Sequence, residues 1–200
     1  MTESPADEKR RIRAAVRRSR NARAAQDAAH REIDRDRLTA QLVALVEDLD
    51  ARVVSCYLPT PGEPDTTGFI AWARDHNVDV LLPVALSEYR LAWARLGDAG
   101  TAPGLHGLAE PIGPRLPAEA LAGADLLLIP ASAVDVSGTR MGWGLGYFDR
   151  ALATLAPRPP VFAVVHENEI LPRVPSDAHD VPVTGAVTSA GIRRFPTGPG

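Results

Sequence analysis

The sequence predicts an α/β fold, in the form of a single three-layer α/β/α domain with a mostly parallel, Rossmann-like sheet. Short runs that are apolar throughout alternate with segments of helical character, and residues 126–129 are the most apolar of these runs. A strand that is apolar on both faces is typical of a parallel sheet covered by helices on both sides. The length of 200 residues, 45% of them hydrophobic, is enough for one complete core, so we expect one domain over residues 1–200.

The composition excludes several classes of protein. The chain contains no run of about 18 apolar residues, so a membrane-spanning helix is not expected. The charged segment 1–13 lacks the apolar centre of a secretory signal. Cys56 is the single cysteine, which rules out an internal disulfide, and we expect a cytoplasmic protein. Because Cys56 stands in an apolar run, we interpret it as a core residue.

The net charge of −3 conceals a basic N-terminal segment. Eleven of the 22 Lys and Arg residues lie between Lys9 and Arg37, and six acidic residues occur in the same part of the chain. Alternating acids and bases at helical spacing are typical of a solvated helix face. A local surplus of positive charge also suits a nucleic acid or a smaller polyanion such as a nucleotide phosphate. The charge pattern alone leaves these three interpretations open.

The N-terminal quarter of the chain predicts two helices. Residues 7–29 are rich in Ala and Arg and contain no Pro or Gly, which favours a helix by propensity. A second helix is predicted by apolar residues at spacings of three and four, namely Leu38, Leu42, Leu45, Val46 and Leu49.

The segments that follow predict two strands separated by a loop and a helix. The β-branched run 53–58 predicts a strand that a proline ends. Residues 59–64 contain three prolines, which cannot join a ladder or a helix interior, and they are predicted to form a loop. Asp65 is a suitable N-cap for a helix that ends at His76. Residues 78–82 predict another buried strand.

The rest of the chain completes the alternation of strands and helices. We expect strands at 89–94, 126–129, 161–165 and 183–187, helices near 118–122 and at 147–155, loops at 97–113 and 130–141, and a loose tail at 193–200. The sequence shows no internal repeat and no interior linker long enough to separate two domains.

A run of alternating glycines, Gly142, Gly144 and Gly146, is the first candidate for a binding site. Glycine lets backbone N–H groups approach an anion without interference from a Cβ atom, and the following helix points its positive end at the same place. Arg140 adds a full positive charge, and Trp143 can face a ring-bearing ligand. The alternative interpretation is a flexible turn. The run matches neither a dinucleotide-binding fingerprint nor a Walker loop, because its third glycine comes early and no Gly-Lys-Ser/Thr follows.

Acidic residues supply the other candidates. Asp149 begins the helix after the glycine run, where it can hold a cation near phosphates or simply favour the helix dipole. Asp180 lies with Asp177 and His179 in a proline-bounded loop, where acids are either metal ligands or solvated. Glu63 follows the first strand, and open α/β sheets bind ligands at the carboxyl ends of their strands.

Several segments, in order along the chain, carry a resemblance to a known family. They are Lys9-x-x-x-Arg13, Tyr57-Leu58-Pro59-x-x-Gly62-Glu63-x-Asp65-Thr66, Leu82-Pro83, Gly107-x-x-Glu110-Pro111, Asp125-Leu-Leu-Leu-Ile-Pro130 with Val134-Asp135 and Gly138, Arg140-x-Gly142-x-Gly144-x-Gly146-Tyr147-x-Asp149-Arg150, His179-Asp180 and Val187-Thr188. Each segment is a weak signal by itself, but the ordered set spans most of the chain and is specific. In these segments the chain resembles the 5-formyltetrahydrofolate cyclo-ligase family, also called methenyltetrahydrofolate synthetase.

The resemblance implies an enzyme that uses ATP and Mg²⁺ to close 5-formyltetrahydrofolate into 5,10-methenyltetrahydrofolate, with release of ADP and phosphate. It implies that the N-terminal basic residues serve ATP rather than a polynucleotide. The implied nucleotide-binding positions are Lys9, Arg10, Arg11, Ile12, Arg13, Arg140, Met141, Gly142, Trp143, Gly144, Leu145, Gly146, Tyr147 and Phe148. The implied substrate positions are Leu58, Glu63, His106, Trp143 and Tyr147, the catalytic positions are Arg140 and Tyr147, and the Mg²⁺ positions are Asp149 and Asp180.

The chain also departs from the family pattern. Trp143 and Leu145 stand where the family often has basic residues or glycine, so this loop carries less positive charge. Phe148 replaces a frequent Tyr, and His106 stands where an aromatic residue is usual. The alternatives are a paralogue with an altered substrate and a non-catalytic nucleotide- or RNA-binding module. We expect a monomer with a reduced folate as its small-molecule partner, and neither a nucleic acid nor a membrane as a partner.

Overall fold

The computed structural model describes residues 4–95, 97, 100–176 and 180–196, apart from the side chain of His106. The helices are α1 (Pro5–Ala24), α2 (Ala28–Asp48), α3 (Thr67–Asp75) and α4 (Tyr147–Ala153). The strands are β1 (Val53–Ser55), β2 (Asp79–Ala85), β3 (Leu91–Arg95), β4 (Thr101–Pro103), β5 (Ala109–Pro111), β6 (Leu126–Pro130), β7 (Ala133–Asp135), β8 (Arg140–Met141), β9 (Val161–Val164), β10 (Ile170–Leu171), β11 (Gly185–Thr188) and β12 (Gly191–Arg194). Short 3₁₀ helices lie at Ser87–Tyr89, Leu105–Gly107, Ala118–Gly123 and Glu167–Glu169.

A seven-stranded sheet with the order β12-β11-β9-β6-β1-β2-β3 forms the centre of the described residues. The inner strands from β11 to β2 pair in parallel, whereas β12 and β3 run antiparallel to their neighbours at the two edges. In the register, Leu128 of β6 lies opposite Phe162 of β9, and Ser55 of β1 lies opposite Leu81 of β2. The predicted α/β fold with a mostly parallel sheet is therefore confirmed.

Helices cover both faces of this sheet and produce the three layers. Successive residues of a strand point to opposite faces, so Leu128 packs with the α2 and α3 side, whereas Leu127 packs with the other side. Leu42 and Phe69 belong to the first cluster, and Leu152 of α4 belongs to the second. Each of these five side chains is fully buried, which explains why β6 is apolar along its whole length.

The basic helix α1 packs on a second, small sheet with the order β10-β7-β8. Ser4 caps α1 by accepting a hydrogen bond from the Asp7 amide at 3.2 Å. Ile12 and Val16 are buried against Met141 of β8, so the helix lies beside the glycine run that follows this strand. The packing of two apolar side chains thus decides where the basic face of α1 points.

The helix expected at 7–29 is divided in the structure. α1 ends at Ala24, and Asp27 becomes the N-cap of α2, because its carboxylate accepts a hydrogen bond from the His30 amide at 2.9 Å. An Asp side chain that bonds to the backbone competes with helix continuation, and here it outweighs the helix propensity of the surrounding alanines.

Other element boundaries also differ from the sequence-based expectation. β2 continues past Leu82 to Ala85, and Pro83 is tolerated because β1, the neighbour on that side, has already ended. The expected loops at 97–113 and 130–141 contain the β4–β5 pair and the β7–β8 pair. The expected tail from 193 begins later, since β12 runs to Arg194 and Phe195 is buried; residues 197–200 lie outside the described part. None of the described helices combines the length and apolar character that a membrane crossing requires.

Candidate active site

A cavity of about 500 Å³ lies at the carboxyl ends of three parallel strands. Tyr57 lines it just after β1, Ala85 at the end of β2 and Pro130 at the end of β6. Ligands of open α/β sheets bind in this position. The sequence-predicted residues that line the cavity are Leu58, Glu63, Arg140, Gly142, Trp143, Leu145, Gly146, Tyr147, Phe148 and Asp149. The tertiary structure therefore joins the predicted substrate positions to the glycine run.

The glycine loop, residues 142–146, connects β8 to α4. Gly144 and Gly146 have φ angles of +102° and +69°, in the left-handed region that side chains disfavour. A Cβ atom on Gly146 would lie 2.8 Å from Nη1 of Arg150, which donates a hydrogen bond to the Leu145 carbonyl at 2.9 Å. Gly146 therefore allows both the backbone turn and the arginine contact that closes the loop.

Two basic residues of α1 contact the region of the glycine loop. Nε of Arg13 donates a hydrogen bond to the Gly142 carbonyl at 2.9 Å. Nζ of Lys9 lies 3.4 Å from the carboxylate of Asp180. Lys9 and Arg13 are four residues apart on one helix face. The structure thus brings Lys9, Arg13 and Asp180 to the same side of the molecule as the loop.

None of the five nucleotide-site predictions in α1 lines the cavity itself. Arg10 and Arg11 are exposed and form ion pairs one turn back within the helix. Ile12 is buried and fixes the helix rather than facing a ligand. A contiguous stretch of helix cannot present all its side chains to one ligand, because successive residues are rotated by about 100°.

Arg140 is a buried cation of the cavity. Its side chain is only 2% exposed, and one Nη2 hydrogen donates to the carboxylate of Asp149. Its Nε is buried and has no hydrogen-bond partner among the described residues. Buried donors in folded proteins nearly always have a partner. An anionic oxygen that enters the cavity would supply one.

The aromatic residues after the glycine loop differ in their surroundings. The ring of Tyr147 packs edge-on against Tyr89 at 5.8 Å, and its hydroxyl donates to the Leu86 carbonyl at 3.5 Å. Phe148 packs edge-on against the fully buried Trp93 at 6.5 Å. Phe148 therefore has a packing role in addition to lining the cavity.

Glu63 lies inside the cavity with both carboxylate oxygens occupied. Its Oε1 accepts from Nη1 of Arg20 at 3.1 Å, and its Oε2 accepts from the Thr60 amide at 2.9 Å. The preceding Gly62 has φ +82°, and a Cβ atom there would lie 2.4 Å from the carbonyl oxygen of Arg20. The loop can approach α1 this closely only because residue 62 is glycine.

Arg20 and Glu169 form a buried ion pair that the sequence analysis missed. The two side chains are 4% and 1% exposed, and the guanidinium bonds both oxygens of Glu169 at 2.8 and 2.9 Å. Burial alone would lower the pKa of Arg20, but the hydrogen bonds and charge of Glu169 raise it overall. A signal for Arg20 exists, because it continues the buried spacing of Ile12 and Val16 by four residues; no local pattern marks Glu169.

A second cavity of about 580 Å³ lies on the other side of the Glu63 loop. Among the predicted site residues that the structure describes, only Glu63 lines it. His166 lines it too, and the ring Nε2 lies 2.9 Å from the Gly62 carbonyl. Burial lowers the pKa of His166, which favours a neutral imidazole that donates from Nε2. This cavity lacks the glycine loop and Arg140, which line the first one.

The two predicted metal positions lie beside different cations. Asp149 accepts from Arg140, and Asp180 pairs with Lys9. The residues that the structure describes contain no group of three or more His, Cys, Asp or Glu side chains that could hold a metal ion. Asp177 and His179 lie outside the described residues, as does the side chain of His106.

Comparison with known proteins gives the chain a family context. A family model described as the 5-formyltetrahydrofolate cyclo-ligase family matches residues 5–189. A 5-formyltetrahydrofolate cyclo-ligase of Mycolicibacterium smegmatis is 37% identical over 145 residues, which are 70% of this chain and 75% of that protein. The residues matched by the family model include both the basic helix and the glycine loop.

Solved structures show the same fold. The NMR structure of Aquifex aeolicus 5,10-methenyltetrahydrofolate synthetase matches with a TM-score of 0.76 and 27% identity, over 96% of this chain and 95% of that one. A 5,10-methenyltetrahydrofolate synthetase from Mycoplasma pneumoniae matches with a TM-score of 0.69 and 16% identity, over 91% and 99% of the two chains. At 16% identity, the similarity to the Mycoplasma pneumoniae structure shows the shared fold alone.

Proposed function

This chain belongs to the 5-formyltetrahydrofolate cyclo-ligase family, and from that premise we propose that it converts 5-formyltetrahydrofolate to 5,10-methenyltetrahydrofolate with ATP and Mg²⁺. One observation carries the proposal: a single cavity contains the carboxylate of Glu63, the buried guanidinium of Arg140 and the glycine loop. A folate acceptor and an anion-binding loop in one space suit a reaction that joins a reduced folate to a phosphoryl group.

The chemistry explains why the site needs cations rather than a nucleophile. The formyl oxygen on N5 is a poor leaving group, so it must take the terminal phosphoryl group of ATP before N10 attacks the formyl carbon. Phosphate then leaves as the second C–N bond forms, and the products are ADP, phosphate and the methenyl compound. Phosphoryl transfer depends mainly on positioning and charge neutralisation. The cavity supplies these requirements through Arg140 and the N–H groups of the glycine loop.

The residues at Arg140 and the glycine loop fit an anionic co-substrate. The unpartnered Nε of Arg140 lacks an acceptor, which a phosphate oxygen provides. A Cβ atom at Gly142 would meet nothing within 4 Å, so a phosphate has room beside this backbone. Arg13 holds the loop through the Gly142 carbonyl and retains other guanidinium hydrogens. We therefore assign ATP to the space between α1 and the glycine loop.

We expect that Lys9→Ala and Arg13→Ala each raise the KM for ATP about tenfold and change the KM for the folate much less. Each variant removes a charge-assisted contact of roughly 1.5 kcal/mol, which corresponds to about a factor of ten. Steady-state kinetics with one substrate varied at a time measures both constants. Arg18→Ala is the matched control, because Arg18 is an exposed arginine of the same helix.

An equal effect of Lys9→Ala and Arg13→Ala on both substrates, or no effect on either, would show that these bases form only a solvated helix face. In that case ATP would have to be assigned elsewhere.

On the folate side, Glu63 is the acceptor that we assign to the pterin. A tetrahydropterin presents two adjacent donors, N3–H and the 2-amino group, and a carboxylate can accept both in a bidentate arrangement. Each oxygen of Glu63 takes one hydrogen bond from the protein and keeps further lone-pair capacity for a ligand. Leu58 and Tyr147, which line the same cavity, provide apolar surface for the ring.

We propose Asp149 and Asp180 as the Mg²⁺ positions. Mg²⁺ commonly takes one or two carboxylates and fills its remaining positions with water and substrate phosphates. In the structure each carboxylate has a cationic partner, Arg140 or Lys9, which is also assigned to the phosphates.

Asp149→Asn and Asp180→Asn are each expected to shift the Mg²⁺ dependence of turnover to higher concentration, with the larger shift for Asp149. The reason is that Asp149 lines the cavity beside the glycine loop, whereas Asp180 does not line it. A magnesium titration of each variant, together with a melting curve, measures the effect. If both titrations match that of the unmodified protein, the metal assignment is wrong and Asp149 serves only Arg140 and the helix.

Incubation with Mg-ATP and 5-formyltetrahydrofolate tests the proposed function directly. We expect the near-ultraviolet absorbance of the conjugated methenyl product to appear only with all three components, together with stoichiometric phosphate release. Omission of ATP or of Mg²⁺ is the control. ATP-dependent phosphate release with a different reduced folate, and none with this one, would indicate a paralogue with an altered substrate.

The second candidate is a non-catalytic nucleotide- or RNA-binding module, favoured by the exposed arginines of α1. It predicts RNA binding that weakens steeply with salt and no turnover. The cytoplasmic location, the monomeric state and the absence of nucleic-acid and membrane partners stay predictions.

A further inference from the structure

Arg20 connects the two halves of the cavity through one buried guanidinium group. Its Nε and Nη2 bond the two oxygens of Glu169 at 2.8 and 2.9 Å, and Nη2 also donates to the Ala131 carbonyl at 2.7 Å. The remaining nitrogen, Nη1, donates to Glu63 at 3.1 Å. The same guanidinium lies 5.2 Å from the ring centre of Trp143 in the glycine loop.

The anchor of this group is rigid. Glu169 is fully buried, and its Oε2 also accepts from the His166 amide at 2.9 Å. A planar guanidinium held by two parallel hydrogen bonds has little freedom to rotate. The direction of the Nη1–H bond toward Glu63 is therefore set by residues that do not themselves line the cavity.

Stability alone does not account for this network. Removing a guanidinium and two carboxylates from water is unfavourable, and well-packed apolar residues of similar volume are often as stable or more so. The side chains of Arg20 and Glu169 are almost completely buried, and that of Glu63 is 10% exposed. The Glu63 carboxylate remains in contact with the cavity. Holding this carboxylate in a fixed orientation gives the network a function.

We propose that Arg20 is a positioning residue, which orients the Glu63 carboxylate for the pterin donors and holds Trp143 against the same guanidinium. This inference rests on the proposed function, because it takes Glu63 as the folate acceptor. Arg20 acts through Glu63 and Trp143 rather than on the reacting atoms. Lysine cannot replace it, since a single ammonium cannot keep the fork to Glu169 and also reach Glu63 in a fixed direction.

A double-mutant cycle between Arg20 and Glu63 tests the proposal. Arg20→Lys keeps the charge, and we expect it to raise the KM for 5-formyltetrahydrofolate about tenfold, the usual effect of a lost charge-assisted contact. In a Glu63→Gln background the same change is expected to have less than about a twofold effect, because contacting residues are not additive. Additive effects of the two substitutions would overturn the proposal, since a merely structural role of Arg20 would act equally in both backgrounds.

Arg18→Lys is the matched control, because Arg18 is an exposed arginine of the same helix that does not line the cavity. It is expected to leave the folate KM within about twofold, as is usual for a change on an exposed surface. If Arg20→Lys lowers the melting temperature too far for assay, Glu169→Gln replaces it in the cycle. That change removes the anchoring charge at similar volume and is expected to couple to Glu63 in the same direction.

A second measurement separates this proposal from the proposed function. Acrylamide quenching of tryptophan fluorescence, with Trp143→Phe to identify the Trp143 component, reports the loop without any turnover. We expect Arg20→Lys to increase quenching of that component, whereas Arg18→Lys does not. Increased quenching in a protein that does not turn over the folate would refute the proposed function and support only the part of the role in which Arg20 holds Trp143. Normal turnover with unchanged quenching and additive kinetics would refute the positioning role alone.

Discussion

Arg140→Met is expected to lower kcat/KM about 100- to 1000-fold, the usual effect of removing one preorganised donor from a developing anionic charge. Arg140 lies buried in the cavity wall, and its Nε donates no hydrogen bond to any described group. A guanidinium in this environment can donate to a phosphoryl oxygen without the screening that water gives at a surface. The loss is therefore expected mainly in kcat, where the transferring phosphoryl group carries its charge.

Stability must be measured beside activity for this variant. Removal of Arg140 leaves the half-buried carboxylate of Asp149 without its cation, which destabilises the fold. The double variant Arg140→Met/Asp149→Asn is expected to recover the melting temperature but not the turnover. Recovery of both together would show that Arg140 is only a structural partner of Asp149. Arg140→Lys, which keeps a charge but loses the fork, is expected to retain part of the activity.

Glu63→Gln is expected to lower kcat/KM for the folate about 100-fold, because two hydrogen bonds to a charged acceptor are each worth roughly 1.5 kcal/mol. The amide is similar in volume and keeps one oxygen for the Thr60 amide, so the loop is expected to stay in place. Its NH₂ group, however, cannot accept from the second pterin donor and opposes Nη1 of Arg20.

Nucleotide binding provides the internal control for Glu63→Gln. The KM for ATP is expected to stay unchanged, since Glu63 lies on the folate side of the cavity and contacts neither α1's Lys9 nor the glycine loop. Steady-state kinetics and a melting curve measure both points. Folate turnover within a few-fold of the unmodified protein would remove Glu63 from the site.

Much of the candidate site was accessible from local sequence patterns. The glycine spacing indicates an anion-binding loop, Arg140 precedes it directly, and Glu63 follows a predicted strand in a proline-rich loop. These features are local, because a turn or a loop residue is recognised from its immediate neighbours. The family resemblance then assigned the separate segments to one site. Hydrophobic periodicity cannot do this, because it reports only local structure.

The buried network was not accessible in this way. Arg20 and Glu169 are 149 positions apart, and neither is marked as buried by its residue type. The spacing of Ile12, Val16 and Arg20 is that of one buried helix stripe, but an arginine on a basic helix is ordinarily solvated. Its acceptors, Glu169 in a distant 3₁₀ helix, the Ala131 carbonyl and Glu63, come together only in the folded chain.

The sequence by itself determined the fold class, the order of the main elements and the identity of the glycine loop. The fold class follows because a strand that is apolar throughout, such as residues 126–129, must be buried on both faces. The tertiary structure decided which charged residues share a space. It placed Arg13 on the loop and left Arg10 and Arg11 in solvent, although all three have the same residue type. The physical reason is that helix rotation and the packing of Ile12 on β8, rather than charge, select the side chains that reach the cavity region.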